Sequence, residues 1–170
     1  MNTKLPASFF QRDSWVVAPD LLGKYLVRVY EDGRVERYRI TDVEAYGDEQ
    51  DKACHASKGR TKRTEIMYSD GGHMYVYLIY GLYWLLNIVT GHKEHPQGVM
   101  IRGVEGIDGP GKVGKALHLD ASFYGEKIDG ERLWIEDSGE KPRYKTGKRI
   151  GIDYAGDWKD IEWRFTVIDT

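Results

Sequence analysis

A chain of 170 residues, 41% hydrophobic and 31% charged, has the size and composition of one globular domain with a sizeable core. Its 25 Lys and Arg stand against 27 Asp and Glu, a net charge of -2, which excludes nucleic-acid binding by overall charge alone and leaves only local clusters for that purpose. The lone Cys54 excludes an intramolecular disulfide and argues against structural zinc, and no apolar run after Lys4 marks an export signal.

In chain order, Trp15 to Leu22 predicts a short helix. Asp13 or Ser14 would cap it, Gly23 would end it, and Pro19 would split it into two turns joined by a kink. Tyr25 to Tyr30 and Arg34 to Tyr46 read as strands joined by a hairpin turn at Asp32-Gly33. The polar stretch from Gly47 to Gly72 predicts loop with one short helix near Thr64 to Tyr68. Two strands, His73 to Tyr80 and Tyr83 to Thr90, flank Gly81. This is the longest apolar stretch, but the glycine and four tyrosines (Tyr75, Tyr77, Tyr80, Tyr83) argue for strands rather than a membrane helix of about 20 apolar residues. Val99 to Val104 predicts another strand. Gly109-Pro110-Gly111 opens a helix over Lys112 to Leu119, with proline at the start where it is tolerated. Short strands are predicted at Leu133 to Glu136, Lys148 to Ile152 and Trp163 to Ile168. Without repeats or linkers, the pattern predicts a single α+β domain over residues 1–170, built on a curved antiparallel sheet with a few short helices and a protruding hairpin.

Positive charge gathers in three places: Arg60, Lys62 and Arg63; Lys112 and Lys115; and the segment holding Lys141, Arg143, Lys145, Lys148 and Arg149. Each alone reads as a solvated face. Lys112 and Lys115, beside the backbone N–H groups of a helix start, also suit a DNA phosphate.

Alternation along Thr41-Asp42-Val43-Glu44-Ala45-Tyr46 puts Asp42, Glu44 and Tyr46 on one face of a strand. In a cleft, such a carboxylate beside a tyrosine suits activation of water; on a solvent face it does nothing. Tyr75 and Tyr77 share a face and fit either a packed core or a platform for bases. Tyr80 has the opposite parity and abuts Gly81, which would push it out at a turn. An exposed aromatic there can wedge between base pairs. Cys54 and His55 are adjacent and so seldom face each other, and His92 and His95 lack further ligands, so no metal site is expected.

Taken together, Leu21-Leu22-Gly23-Lys24, Asp42 to Tyr46, Ala53 to Ser57, Tyr75 to Gly81, Asn87-Ile88, Ile101-Arg102 and Gly109-Pro110-Gly111-Lys112 resemble the alkyladenine (3-methyladenine) DNA glycosylase family, in order and spacing. The resemblance implies Glu44 as the general base that aims water. It implies Tyr46, His55 and Tyr77 as the pocket around a flipped base, Asn87 as a residue testing the purine, and Arg102 as a holder of water or backbone. Tyr80 becomes the wedge in the duplex, and Lys112, Lys115, Arg60 and Arg63 become DNA contacts. Asp42 receives no catalytic role.

The implied activity is excision of alkylated or deaminated purines from double-stranded DNA, with the base rotated out of the helix. No lysine or N-terminal amine lies among the matched positions, so neither a Schiff base nor strand cleavage is expected. Neither a metal nor an organic cofactor is implied. The implied protein is a monomer without membrane attachment, cytoplasmic and nucleoid-associated in a prokaryote or nuclear in a eukaryote. Two other classes fit parts of the pattern: a non-catalytic binder that stacks bases on tyrosines, and an acyl- or formyl-transfer enzyme using Cys54 and His55 or the Gly109-Pro110-Gly111 loop.

Overall fold

The computed structural model describes residues 2–168. Strand β1 (Thr3–Lys4) leads into a single turn α1 (Ala7–Phe10) and helix α2 (Ser14–Leu21). Strands β2 (Tyr25–Val29) and β3 (Val35–Gly47) form the first hairpin, closed where Gly33 takes φ 88° and Asp32 Oδ1 accepts the Arg34 N–H at 2.9 Å. Two 3₁₀ turns, His55–Lys58 and Glu65–Tyr68, precede β4 (Met74–Ile79), β5 (Tyr83–Thr90) and β6 (Gln97–Val104). Then come β7 (Ile107–Asp108), α3 (Pro110–Ala116) and a 3₁₀ turn at Ala121–Phe123. The chain closes with β8 (Leu133–Asp137), β9 (Tyr144–Gly147), a 3₁₀ segment (Asp153–Asp160) and β10 (Arg164–Val167).

The strands form one sheet whose main path runs β1-β8-β2-β3-β6-β5-β4, with β10 joining β3 to β9 and β7 lying on β6. The strand pairings are antiparallel, and the α+β expectation holds. The long strand β3 serves two neighbourhoods: residues 35–39 pair with β2, and residues 40–47 with β6. Register shifts around Asp42 mark an irregularity between them, which bends a strand and lets it carry residues from one neighbourhood into the other.

Period-two alternation then sorts the residues. Val43, Ala45, Met74, Val76, Leu86, Ile88, Val99 and Ile101 enter the main core, covered by Val17, Ala18 and Leu21 of α2 and Val113 of α3. The intervening residues face the other way: Tyr75, Tyr77 and Val89 pack against Cys54, Ala56, Met67 and Tyr68, and Tyr46 also against Ile152 and Ala155.

Several local expectations are corrected. Asp13 occupies the N-cap position of α2 without a side-chain cap bond, and the assigned helix runs unbroken through Pro19. The capping acceptor comes from afar: Gln97 Oε1 takes the Ser14 N–H at 2.8 Å while Gln97 Nε2 donates to Asp13 at 3.0 Å. The 47–72 region holds two 3₁₀ turns rather than one helix, and α3 ends at Ala116, short of Leu119. Lys148 to Ile152 is not a strand. Its alternation is broken by Gly151 at φ 75°, and the Ile150 N–H leaves the ladder for a side chain.

Candidate active site

The pairing register aligns one row across four strands: Glu44 opposite Met100, Met100 opposite Asn87, and Asn87 opposite Tyr75. Three strand spacings of roughly 4.7–4.9 Å set this row about 14 Å wide. One step to one side, Tyr46 pairs with Gly98, where the missing side chain leaves room, and one step to the other side Tyr77 pairs with Leu85. A cavity of about 290 Å³ opens over this face, lined by Tyr46, His55, Tyr75, Tyr77, Asn87 and Arg102 among others. Its size sits at the lower end of small-molecule sites, roughly 300–1,000 Å³.

Glu44 has no exposed surface and lies one hydrogen bond behind the cavity wall. Its Oε1 accepts the Tyr46 hydroxyl at 2.7 Å and faces Arg102 Nη1 at 3.4 Å; its Oε2 accepts the Ile150 N–H at 2.8 Å. Three donors, one of them cationic, suit an acceptor-only carboxylate and offset its burial. A carboxylate has about four acceptor positions, so one remains on Oε2. Burial first, and then the charge of Glu44, push the Tyr46 phenol well above its ordinary value, so it stays a donor. Asp42, on the same face, is taken up by Arg164 at 2.8 Å and by Thr166 at 3.1 Å. Those bonds pin β10 against β3.

On the opposite wall, His55 Nδ1 lies 2.8 Å from the Tyr75 hydroxyl, and the His55 and Tyr77 rings approach to 4.5 Å. Burial, then Arg63 and Lys58, lower His55 to about 4, so the ring is neutral at physiological pH. Burial raises the Tyr77 phenol and pushes Tyr75 up to about 12. The Arg63 guanidinium lies 5.1 Å from the Tyr77 ring centroid. Asn87 Nδ2 donates to the Tyr75 carbonyl at 3.2 Å, which fixes the orientation of its amide. Cys54 is buried and its thiol is pushed up to about 12. Its Sγ points toward the Pro96 carbonyl at 4.0 Å, so thiolate chemistry with His55 has no support.

At the rim, the β4–β5 turn places Tyr80 at φ 54° and Gly81 at φ 62°. A tyrosine at positive φ is strained, and this one is 91% exposed while also edging the cavity. Leu82 beside it is 66% exposed. Lys112 and Lys115 are exposed on α3, whose Pro110 touches the cavity. Arg60 is held by Glu65 at 2.8 Å and Glu94 at 2.7 Å, so its charge is already matched. Among the described residues, no three His, Cys, Asp or Glu side chains gather as a metal would require.

Sequence reasoning overlooked Asp51 and misplaced Arg149. Arg149 does not belong to a surface patch: it is fully buried against Asp51, with N–O distances of 2.6 and 3.0 Å. Lys148 pairs with Asp160 at 3.0 Å. Ile150, Ile152 and Tyr154 complete the cavity mouth. A charge-rich segment between short strands offered no signal that one of its cations turns inward.

Comparison with known proteins agrees with this geometry. The family model described as methylpurine-DNA glycosylase (MPG) matches residues 8–108 and 105–170. A protein of Psychrobacter cryohalolentis is 42% identical over 100% of this chain and 93% of its own. Proteins of Desulfitobacterium hafniense and Legionella pneumophila (strain Lens) are 38% and 41% identical, each over 98% of this chain and 96% and 95% of their own. All three are named, provisionally, as 3-methyladenine DNA glycosylases. Matched by the family model over nearly its whole length, the chain belongs to the methylpurine-DNA glycosylase family.

Proposed function

We propose that this protein rotates an alkylated or deaminated purine out of double-stranded DNA and hydrolyses its N-glycosidic bond with a water activated by Glu44. The observation that carries the reading is the buried Glu44 carboxylate, three donors fixing its aim, immediately behind an aromatic cavity. Unstacking a base costs a few kcal/mol, and less for a damaged one. Tyr80, held out at the hairpin tip, replaces the lost stacking. Tyr46, His55 and Tyr77 enclose the extruded base, and electron-rich rings favour a cationic alkylpurine. Asn87 tests its edge. As the bond to the base lengthens, positive charge develops on the sugar, and Glu44 stabilises it while taking a proton from the attacking water. Arg102 holds Glu44 and the water in register. Lys112, Lys115 and Arg63 contact the phosphate backbone. Arg60 joins them only by giving up its two carboxylate partners.

On this reading the protein acts as a monomer and needs no metal or organic cofactor. It leaves an abasic site without cutting the strand, since no lysine is among the residues that line the cavity. Its place of work is where the chromosome is, the cytoplasm in a prokaryote. The test is base release in EDTA from duplexes carrying one 3-methyladenine, 7-methylguanine, hypoxanthine or ethenoadenine, with alkali applied afterwards to reveal abasic sites. Release by the wild type, no cleavage before alkali, and loss of release in Glu44→Gln are expected. Binding without release from any lesion would leave a base-stacking module in place of an enzyme.

A further inference from the structure

The Asp51–Arg149 pair is the most deeply buried ionic contact described, both side chains having no exposed surface. Neither residue lines the cavity, yet the pair holds residues that do, Tyr46 and Ala53 among them. Arg149 Nη1 donates to the Ala45 carbonyl at 3.0 Å, and its Nη2 donates to the Trp158 carbonyl at 3.1 Å. Its guanidinium carbon lies 4.8 Å from the Tyr46 ring centroid. The next residue, Ile150, gives its N–H to Glu44. Three consecutive residues of β3 are thus gripped by two consecutive residues of the 148–152 segment. From the other side, Asp51 accepts the Gly47 N–H and the Ala53 N–H, each at 3.0 Å. It thereby fixes the end of β3 and the loop that delivers His55.

We infer that Arg149, locked by Asp51, is a positioning residue for the reaction: it sets where the Ile150 N–H meets Glu44 and so fixes the aim of the carboxylate. The inference rests on the glycosylase reading above. A backbone donor in a loop lacking ladder bonds stays in place only if its neighbour is anchored, and Arg149 is that anchor. The bidentate fork matters more than the charge. Lysine would keep the charge but lose the simultaneous grip on Asp51, Ala45 and Trp158. Misaiming the carboxylate slows the chemical step, while a cavity that is still formed and a hairpin that is unchanged leave DNA binding alone.

The experiment compares Arg149→Lys with wild type in two measurements on the full chain. One is the single-turnover rate of base release from a lesion duplex, and the other is affinity for a duplex bearing an uncleavable abasic-site analogue. Expected is a rate loss of about tenfold or more, with affinity within about twofold. A rate equal to wild type overturns the inference, and so does a parallel loss of affinity and rate, which is what a merely structural defect gives. Should Arg149→Lys fail to fold, a semisynthetic chain with an ester in place of the amide at Ile150 deletes the N–H alone. It must show the same split between rate and affinity, and an unimpaired rate overturns the inference. Wild type that releases no base sinks the glycosylase reading itself; wild type that releases base with Arg149→Lys keeping pace sinks only the positioning role.

Discussion

The two faces of the sheet share one register and are held by different physics. On β5, Leu86 and Ile88 enter the main core, while Leu85, Asn87 and Val89 line the cavity. Apolar burial is non-directional and spread over many side chains, so a single loss on the core face leaves a void but no broken geometry. The cavity face depends on direction: a carboxylate aimed by three donors, a histidine ring bound to a tyrosine hydroxyl, an amide tied to a carbonyl. The main core lies on one side and the candidate site on the other. At Asp51 and Arg149 a polar contact on the cavity side is buried like a core residue.

That division can be broken experimentally, starting with the largest effect. Glu44→Gln should lower base release by about 10²–10⁴-fold, the range for removing general acid–base help, with duplex affinity retained; single-turnover kinetics beside anisotropy titration reads both. Asp51→Asn leaves Arg149 buried without its counter-charge and should cost about 3–5 kcal/mol in urea unfolding. Leu86→Ala should cost about 2–5 kcal/mol and leave the rate per folded molecule unchanged, which active-site titration alongside urea unfolding checks. Tyr80→Ala should weaken duplex binding by about 1–3 kcal/mol while thermal unfolding stays where it was. The last effect is a pH dependence. An unfolded His55 gains its proton near 6.5, but the folded one only near 4. Acidification across that interval therefore favours the unfolded chain, and above it both states are neutral and the contribution is constant. Urea unfolding from pH 7.5 to pH 4 should show this decline, and His55→Gln should flatten it.

Much of the cavity face was legible in the sequence because strands obey a period of two. The shared parity of Asp42, Glu44 and Tyr46, that of Tyr75 and Tyr77, and the outward throw of Tyr80 before Gly81 all follow from it. What alternation cannot carry is distance along the chain. Asp51 and Arg149 lie 98 residues apart, and both look like ordinary surface charges. The Ile150 N–H has no signature of its own, because every residue except proline has one. Lys148 to Ile152 mimicked a strand through the alternation Lys-Arg-Ile-Gly-Ile, yet Gly151 at positive φ takes it out of the sheet. The α2 cap was misread for a related reason: its acceptor is Gln97, brought in by tertiary structure.

Two contacts just behind the tip of the β4–β5 hairpin bear on how a wedge at Tyr80, as proposed, would be held. A Cβ at Gly114 would sit 1.8 Å from the Trp84 carbonyl oxygen, and one at Gly111 would sit 2.9 Å from the Tyr83 ring. Helix α3 is therefore seated directly on the strand backbone at Gly114 and on the Tyr83 ring at Gly111. Mechanically, the hairpin is clamped close behind its tip, with Tyr80 just beyond the clamp and Lys112 and Lys115 on it. A load applied at the tip passes into a helix whose exposed lysines face outward, rather than being dissipated by bending of two strands. Gly114→Ala would set a Cβ against backbone that cannot yield, so α3 would have to lift from β5 and carry Lys112 and Lys115 with it.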